Sequence, residues 1–539
     1  MDDYRRRRTL GVLAIVSVVA IAVSLLADRG SDDHKGGGKK EAASQSSSST
    51  STSVKQPKGA GFFHTTSKAW ADPAGFGKPY PNAKVQGLLT FRGNPSRSYY
   101  GQGPVPTTPK VLFRFPENPM CKSSVNLGQT KVWCGMGWTG QPTIVERKDR
   151  TWAIFGGYDG HIHFMDAHTG ERILPDLPTG DIIKGTPTID PDGMPLVYSG
   201  SRDNLLRVIA IDRPGQAQTL WTLDSESVKP TLWNDDWDSS PLIIGDYMVE
   251  GSESSRFWVI KLNRRIDDAG LVQVSPKVVF TTEAWDQEAI ASNGDEDASV
   301  ESSVAIYKDT VYFATSAGLV LGYDVSKVPQ GGKATKVFRF YSGNDADASI
   351  VADDQGYLYS ASEYDRPLAR SKEVGQLTKL DPRNPTNPVV WHLEVDTNLK
   401  GGIYGTPGIS GNSVYVATDN GRLISLDRTT GAIQWERKLP NPTWASPVIV
   451  DKTLLIGDCD GVFHAFDVSN PLVVPPEKWN VTLGGCIEAT PAVWHGYIYI
   501  GTRAGHLFII GDAKDHANDP TAPTDAPKGS VTTTTAAGY

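Results

Sequence analysis

Gln141-Pro142-Thr143-Ile144, Thr186-Pro187-Thr188-Ile189, Ser240-Pro241-Leu242-Ile243, Thr406-Pro407-Gly408-Ile409, Ser446-Pro447-Val448-Ile449 and Thr490-Pro491-Ala492-Val493 are six versions of one phrase: a polar residue, proline, any residue, then Ile or Val. Two degenerate copies, Ser303-Val304-Ala305-Ile306 and Asp347-Ala348-Ser349-Ile350, fill the one long gap between them. The eight copies stand about 40 to 63 residues apart, and a fixed repeat of that length marks a repeat architecture. Each copy continues alike. A second apolar run follows, as in Val311-Tyr312-Phe313-Ala314 and Val414-Tyr415-Val416-Ala417. A glycine turn comes next, as in Asp159-Gly160, Ala317-Gly318, Asn420-Gly421, Asp460-Gly461 and Ala504-Gly505, where glycine accepts positive φ without penalty. A third run ends in Asp166, Asp212, Asp324, Asp381, Asp427 or Asp467, with Asn263 in the third copy; an Asp there can accept the amides of the following turn. A fourth run carries Trp221, Phe280, Phe338, Trp391, Trp435 or Trp479.

Four strands per repeat and eight repeats predict an all-β, eight-bladed β-propeller. The eighth copy stops at Gly511-Asp512, one strand short, and Lys110-Val111-Leu112-Phe113-Arg114-Phe115 stands unclaimed before the first. Donating that segment as the N-terminal strand closing the last blade removes both exposed sheet edges.

The flanks are of other kinds. Arg5 to Arg8 precede Thr9 to Ala27, an uncharged apolar stretch of 19 residues, close to the roughly 20 a membrane span needs. The expected order is a cytoplasmic basic flank at 1–8, one transmembrane helix at 9–27, a Ser/Gly-rich disordered stalk at 28–61, the propeller with its lead-in at 62–512, and a Thr/Pro/Ala tail at 513–539. Arginines stay on the cytoplasmic side, so the localisation expected is the cell membrane, single-pass, with the propeller extracytoplasmic. Ala22-Val23-Ser24 leaves open a cleaved signal peptide, and Arg7-Arg8-Thr9-Leu10 weakly resembles a twin-arginine signal. Export permits disulfides. Of the three possible connectivities of Cys121, Cys134, Cys459 and Cys486, Cys121–Cys134 with Cys459–Cys486 joins nearest neighbours. The net charge of −8 disfavours nucleic acid as a partner.

Asp427-Arg428-Thr429-Thr430-Gly431-Ala432-Ile433-Gln434-Trp435, the partial copy Asp166-Ala167-His168-Thr169-Gly170, and Phe91-Arg92-Gly93-Asn94-Pro95-Ser96-Arg97 ahead of the first blade resemble the PQQ-like (quinoprotein-type) propeller repeat family over about residues 88 to 512. The resemblance implies one of two functions. One is a non-catalytic scaffold, similar to the propeller lipoproteins of outer-membrane assembly, that binds an envelope protein partner. The other is a quinone- and Ca2+-dependent oxidoreductase or small-ligand sensor using the central channel. The family's alcohol dehydrogenases carry a disulfide between neighbouring cysteines at the cofactor, and no two cysteines here adjoin. Nor is there a CxxCH haem motif, so no cofactor is expected, with Ca2+ or PQQ as the alternative.

Ligands of propellers meet the loops at one mouth of the channel. The residue three places before each proline position should stand there: Thr139, Lys184, Asp238, Glu301, Asp345, Tyr404, Trp444 and Glu488. Asp238, Glu301 and Asp345 fall on consecutive blades and offer hard oxygens suited to Ca2+. Tyr404, Trp444 and Glu488 complete the candidate binding set. Against this stands the simpler view that the acidic loops, Asp235 to Asp238 and Asp295 to Asp297, are solvated, and that Trp237 and Trp444 plug gaps between blades. His161 and His163 share one strand face without a third metal ligand and are read as structural. Leu177-Pro178-Thr179-Gly180 resembles a sortase signal without the required apolar tail, and Asn480-Val481-Thr482 fits a glycosylation acceptor.

Overall fold

The computed structural model describes residues 70–512, apart from 127, 139 and 397–400. The basic flank, the apolar stretch 9–27, the stalk and the tail lie outside the described residues, as does Thr139. Among the described residues no helix is long and apolar enough to cross a membrane.

Eight antiparallel sheets follow one another along the chain. They run from Thr143–Arg147 to Arg172–Pro178 (blade 1), Thr188–Ile189 to Gln218–Asp224 (blade 2), Leu242–Ile244 to Lys277–Glu283 (blade 3) and Ala305–Tyr307 to Thr335–Tyr341 (blade 4). They continue as Val351–Ala352 to Val389–Leu393 (blade 5), Gly408–Ser410 to Ile433–Lys438 (blade 6), Val448–Val450 to Glu477–Thr482 (blade 7) and Ala492–Trp494 to Leu507–Asp512 (blade 8). Blade 8 has three strands of its own. Pro109–Phe115 supplies the fourth, pairing Pro109 with Asp512 and Phe115 with Leu507, the closure the sequence predicts.

The repeated residues have repeated jobs. The strand-ending Asp accepts turn amides: Asp166 from His168 and Thr169, Asp427 from Thr429 and Thr430. In blades 2 to 7 the fourth-strand aromatic sits at a β-bulge, as with Trp221 opposite Val208, Phe338 opposite Gly322 and Trp435 opposite Ser425. Such a bulge increases strand twist, which the outer strand of a blade needs.

The polar residue opening each phrase explains the phrase. The Gln141 amide donates to Thr186 Oγ1, Thr186 to Ser240 Oγ, Ser240 to Ser303 Oγ, Ser303 to Ser349 Oγ, Ser349 to Thr406 Oγ1, and Thr406 to Ser446 Oγ, at 2.8–3.0 Å. Each hydroxyl thereby stitches its blade to the one before. This ring corrects one alignment. In blade 5 the ring residue is Ser349, not Asp347, so that phrase is Ser349-Ile350-Val351-Ala352, two residues later than expected. The slip went unseen because the side-chain period of a strand is two: moving by two keeps the same face.

The lead-in is more than a linker. Its Gly87–Leu88 pairs with the inner strand of blade 1, and its Gly101–Gln102 lies parallel to that of blade 8. Between them residues 89–100 bond to inner strands around the axis: Ile189 donates to Leu89 O, Ile306 to Pro95 O, Ala352 to Ser96 O, and Ile409 to Tyr100 Oη. Two arginines of this segment are fully buried. Arg92 donates to the carbonyls of Arg97, Thr406, Pro407 and Pro447. Arg97 donates to those of Phe91, Ser240 and Val304 and to Thr90 Oγ1. Burial pushes the Arg97 guanidinium down to about 10, with Tyr80 and Glu250 opposing. At pH 7 it stays charged, held by carbonyl dipoles.

Two more charges sit inside blades. His163 lies between Asp159 and Asp176, and His464 between Asp458 and Glu477. Burial opposes their charge, but the hydrogen bonds and charges of the carboxylates outweigh it and raise both imidazoles above 6.5. No described residue joins His161 and His163 as a third metal ligand.

Arg97→Ala leaves three buried carbonyls without their donor, each worth roughly 1–3 kcal/mol. Urea unfolding should show a loss of about 3 kcal/mol or more, against at most about 0.5 for Arg150→Ala at the surface. The histidine pairs set a pH window. A raised imidazole stabilises below its ordinary value and loses that contribution as pH rises through the raised one; its lowered Asp and Glu partners lose theirs in acid. The melting temperature should therefore fall from pH 6.5 to 9, and the double variant His163→Gln/His464→Gln should flatten that slope.

Candidate functional site

The inner strands of all eight blades begin at one end of the channel, and the connections between blades arrive there. The residue three places before each phrase's second position forms a tier at this mouth. With blade 5 corrected, the described members are Lys184, Asp238, Glu301, Asp347, Tyr404, Trp444 and Glu488. A second tier comes from the turn between strands two and three: Tyr158, Arg202, Glu253, Ser316, Glu363, Asp419, Cys459 and Arg503. One bond defines it in blades 2 to 8, the amide of the turn residue donating to the carbonyl five places before the phrase's second residue, as from Arg202 to Ile182, Glu253 to Asp236, Glu363 to Asp345 and Arg503 to Cys486; in blade 1 the Tyr158 amide reaches Gly135 instead. The expected residue Asp345 therefore belongs in the mouth, two places from the tier position that Asp347 holds.

Asp238, Glu301, Asp345, Asp347, Glu363, Glu253 and Asp236 are all buried. Solvated acidic loops is therefore the wrong description of these side chains. The blade 2–3 side is partly compensated: Lys184 Nζ pairs with Asp238 and, at 3.3 Å, with Glu253, while Arg202 pairs with Asp236, yet burial and then Glu253 still push Asp236 up to about 7 and Asp238 well above the usual carboxylate range. Burial opposes the Lys184 charge, and Asp238 and Glu253 overcome it and raise its pKa. Arg503 stands 3.5 Å from Glu488 on blade 8. On blades 4 and 5 the buried Arg366 pairs with Asp295 and donates to the Ser316 carbonyl. Burial first, then Glu253, raises Glu301, with Lys184 opposing and Asp345 adding. Burial and then Glu301, Asp345 and Glu363 raise Asp347 well above the usual carboxylate range. Oδ1 of Asp347 is buried and accepts no hydrogen bond. Two carboxylate triads each bring ligand oxygens within 4.8 Å of one another, Asp236–Asp238–Glu253 and Asp345–Asp347–Glu363. The first already holds Lys184 and Arg202. The expected calcium set Asp238, Glu301 and Asp345 is thus not one cluster, because its members divide between the two triads and the residue between them.

Aromatic rings form the other wall. Tyr404 and Trp444 meet Trp138 at 5.4–6.3 Å between ring centroids, and Trp444 Nε1 donates to Asp419. Trp138 and Trp444 are half-exposed. Trp237 is a packing residue as the simpler view had it: fully buried against Trp258, its indole donating to Asn204 O.

A disulfide hairpin, Cys121–Asn126 paired with Gln129–Cys134, stands beside the mouth. Its Trp133 lies over the guanidiniums of Arg202 and Arg503, and Ser124 donates to Asp181. The second disulfide, Cys459–Cys486, links a turn to the next blade's connection, the place the Arg202–Asp236 pair occupies between blades 2 and 3. The pairings are those of nearest neighbours in sequence. Sequence reasoning missed Asp236, Glu253, Asp347, Glu363, Arg202, Arg503 and Trp138. The first strands were aligned but the turns were not, although Ser201-Arg202, Ser252-Glu253, Ser362-Glu363 and Thr502-Arg503 repeat a hydroxyl followed by a charge.

Residues 373–514 match the family model described as outer membrane protein assembly factor BamB. The chain is 32% identical over 144 residues to the quinoprotein alcohol dehydrogenase PedE of Pseudomonas putida, covering 26% of this chain and 21% of that protein. It is 30% identical over 102 residues to BamB of Shewanella oneidensis, covering 19% of this chain and 25% of that protein. The matches thus span about a quarter or less of these curated relatives. The crystal structure of a quinohemoprotein alcohol dehydrogenase from Comamonas testosteroni superposes with a TM-score of 0.54 at 12% identity, over 79% of this chain and 81% of that one, a likeness of fold. PQQ-like repeats are therefore present, and the relatives include both catalytic and assembly proteins.

Chemically, the mouth is a cation-seeking surface with one side already filled. Crowded buried carboxylates must take up protons, a metal or an organic cation, or their repulsion weakens the fold. A raised carboxyl destabilises as pH climbs above its ordinary value, since the folded form must then release a proton it holds more tightly. Asp347→Asn should thus raise stability at pH 8 by about 1 kcal/mol or more and reduce the fall in melting temperature between pH 5 and 8, measured by calorimetry.

Proposed function

We propose that this protein is a binding and scaffold propeller of the cell envelope, which takes a cationic segment of an envelope protein partner into its mouth. The observation that supports the proposal is that the mouth holds both a buried carboxylate triad on blade 5 with Glu301 beside it in charge and a group of three packed rings, Trp138, Tyr404 and Trp444. Carboxylates supply charge, and ring faces accept a cation or its aliphatic stem. In the same proposal residues 9–27 are the single membrane anchor, Arg5 to Arg8 lie inside, and the propeller is extracytoplasmic.

Asp345, Asp347 and Glu363 fit Ca2+, being hard oxygens within 4.8 Å of one another; calcium there would neutralise the triad. A tricarboxylate quinone fits poorly. The acids of both triads together with Glu301 and Glu488 outnumber the cations Lys184, Arg202 and Arg503, and both disulfides join cysteines far apart in sequence. We therefore favour scaffold over oxidoreductase, with Ca2+ as a competitor or companion of the partner's cation.

A photo-crosslinking residue placed at Trp138 in the full-length protein, in cells, should trap an envelope protein whose crosslinked peptide is rich in Lys or Arg. The same residue at Val337, on the outer strand of blade 4, should not. Asp345→Asn/Asp347→Asn should cut the yield at Trp138 at least tenfold. PQQ absorbance retained by the purified protein with Ca2+, together with alcohol-dependent dye reduction, would instead establish the enzyme.

A further inference from the structure

The end of the propeller opposite the mouth carries a feature the repeats do not predict. Between strands three and four, blade 6 turns tightly from Asp427 to Ile433, whereas blade 7 takes a longer path from Asp467 to Glu477. That path holds Pro471-Leu472-Val473-Val474-Pro475-Pro476. Leu472 is 71% exposed, Val473 52% and Val474 49%, the one run of three consecutive exposed aliphatic residues among those described. The loop is held firmly. Asn470 accepts the amides of Leu472 and Val473 through its side chain and its carbonyl, Arg437 donates to Pro475 O, and the Asp467 amide donates to Pro476 O. A fixed loop that exposes its aliphatics is a built surface.

The neighbouring blades extend it. Ile433, first residue of the outer strand of blade 6, is 46% exposed, and Val111, near the start of the outer strand of blade 8, is 39% exposed. Both outer strands begin at this same end, so the aliphatics line one rim across three consecutive blades. Exposed Lys110, Lys452 and Lys478 stand at the same end; of the acids there Asp427, Asp467 and Asp512 are engaged in capping their turns, and Asp451 is exposed beside Lys452. The surface is aliphatic: among the described residues its exposed large apolar side chains include no aromatic ring of the kind that anchors protein recognition sites. It also lies at the end where the chain joins the propeller: Trp70, the first described residue, donates to Asp309 in a turn of that end, and Ala71 bridges Lys308.

We infer that the rim of blades 6 to 8 rests on a lipid bilayer, Leu472, Val473 and Val474 dipping into the interface while Lys110, Lys452 and Lys478 meet anionic headgroups. Few aliphatics give only weak and reversible attachment, and stable anchoring takes two signals. The second is the apolar stretch Thr9 to Ala27, so this inference rests on that part of the proposed function and is independent of the mouth. Its consequence is orientation: with this rim on the membrane, the acidic mouth points away from it, toward a partner in the envelope.

The native cysteines are paired, so Val473→Cys offers one thiol for an environment-sensitive fluorophore. The labelled full-length protein is reconstituted into vesicles of phosphatidylcholine with a minor fraction of phosphatidylglycerol. The emission should shift to the blue and be quenched by lipids brominated on the acyl chain. Adding Leu472→Asp and Val474→Asp should abolish both while leaving the melting temperature unchanged. Emission that stays as in water on reconstitution overturns the inference. So does a blue shift that appears in lipid-free detergent and grows with protein concentration, which marks a contact between copies. Retention of the protein on the vesicles reports separately on the anchor, so failure of the rim and failure of the tether are distinguishable.

Discussion

The hydroxyl-to-amide stitch between neighbouring phrases is the contact on which the rest depends. In a propeller each blade touches only its neighbours, so closure must be enforced at the axis, where blades come nearest. Six successive links from Gln141 to Ser446 do this with the smallest polar side chains available. A larger side chain would push the inner strands apart, and an apolar one would leave a buried amide without its acceptor. The following proline carries no amide to satisfy, so its carbonyl alone faces the axis. The proline carbonyls of Pro407 and Pro447, with the carbonyls of the preceding Thr406 and Ser240, are ones Arg92 and Arg97 gather.

The plug and the stitch thus form one device. Carbonyls converging on an axis create a negative potential, and a guanidinium with five donors in a planar fork matches it better than any other side chain. No carboxylate ion pair accompanies Arg92; the Tyr100 ring, 4.4 Å from its guanidinium carbon, and the carbonyls take that place. Because the segment also leads to the strand that completes blade 8, axis and outer edge are locked by one continuous stretch, residues 87–115. Residues 89–100 thereby occupy the axis, bonded to the inner strands of blades 2, 4, 5 and 6.

Fold and site were legible to different depths. The eight phrases, the glycine turns, the capping Asp and the donated strand of Pro109–Phe115 are local patterns, and a strand's period of two makes them visible. The ring of residues three before the proline was found for the same reason, and it placed Lys184, Asp238, Glu301, Tyr404, Trp444 and Glu488 correctly. What escaped were facts of three-dimensional proximity. Asp238 looked like an open carboxylate because Lys184, 54 residues away, is its partner only across a blade boundary. Asp347 was hidden by a degenerate phrase with no proline to fix its register. Phe91 to Arg97 read as a lead-in because nothing in seven residues shows that their partners are backbone carbonyls more than three hundred positions later.

The asymmetry of the mouth bears on how the scaffold would be used. A site that only stabilised the fold would spread its charges evenly, as every blade meets the same ring. Here Lys184 and Arg202 of blade 2 and Arg503 of blade 8 pair directly with carboxylates of the mouth, Arg366 of blade 5 bonds Asp295 and the Ser316 carbonyl, and Glu301, Asp345 and Glu363 together push Asp347 up. The repulsion there is relieved by a proton, which Asp347 holds more tightly than a free carboxyl, or by an arriving cation, so cation binding and local stabilisation are coupled by the same charges. The stitch, through Ser240, Ser303, Ser349 and Thr406, holds the blades that carry those carboxylates together in its absence. Such a mouth favours a partner that brings its own positive charge.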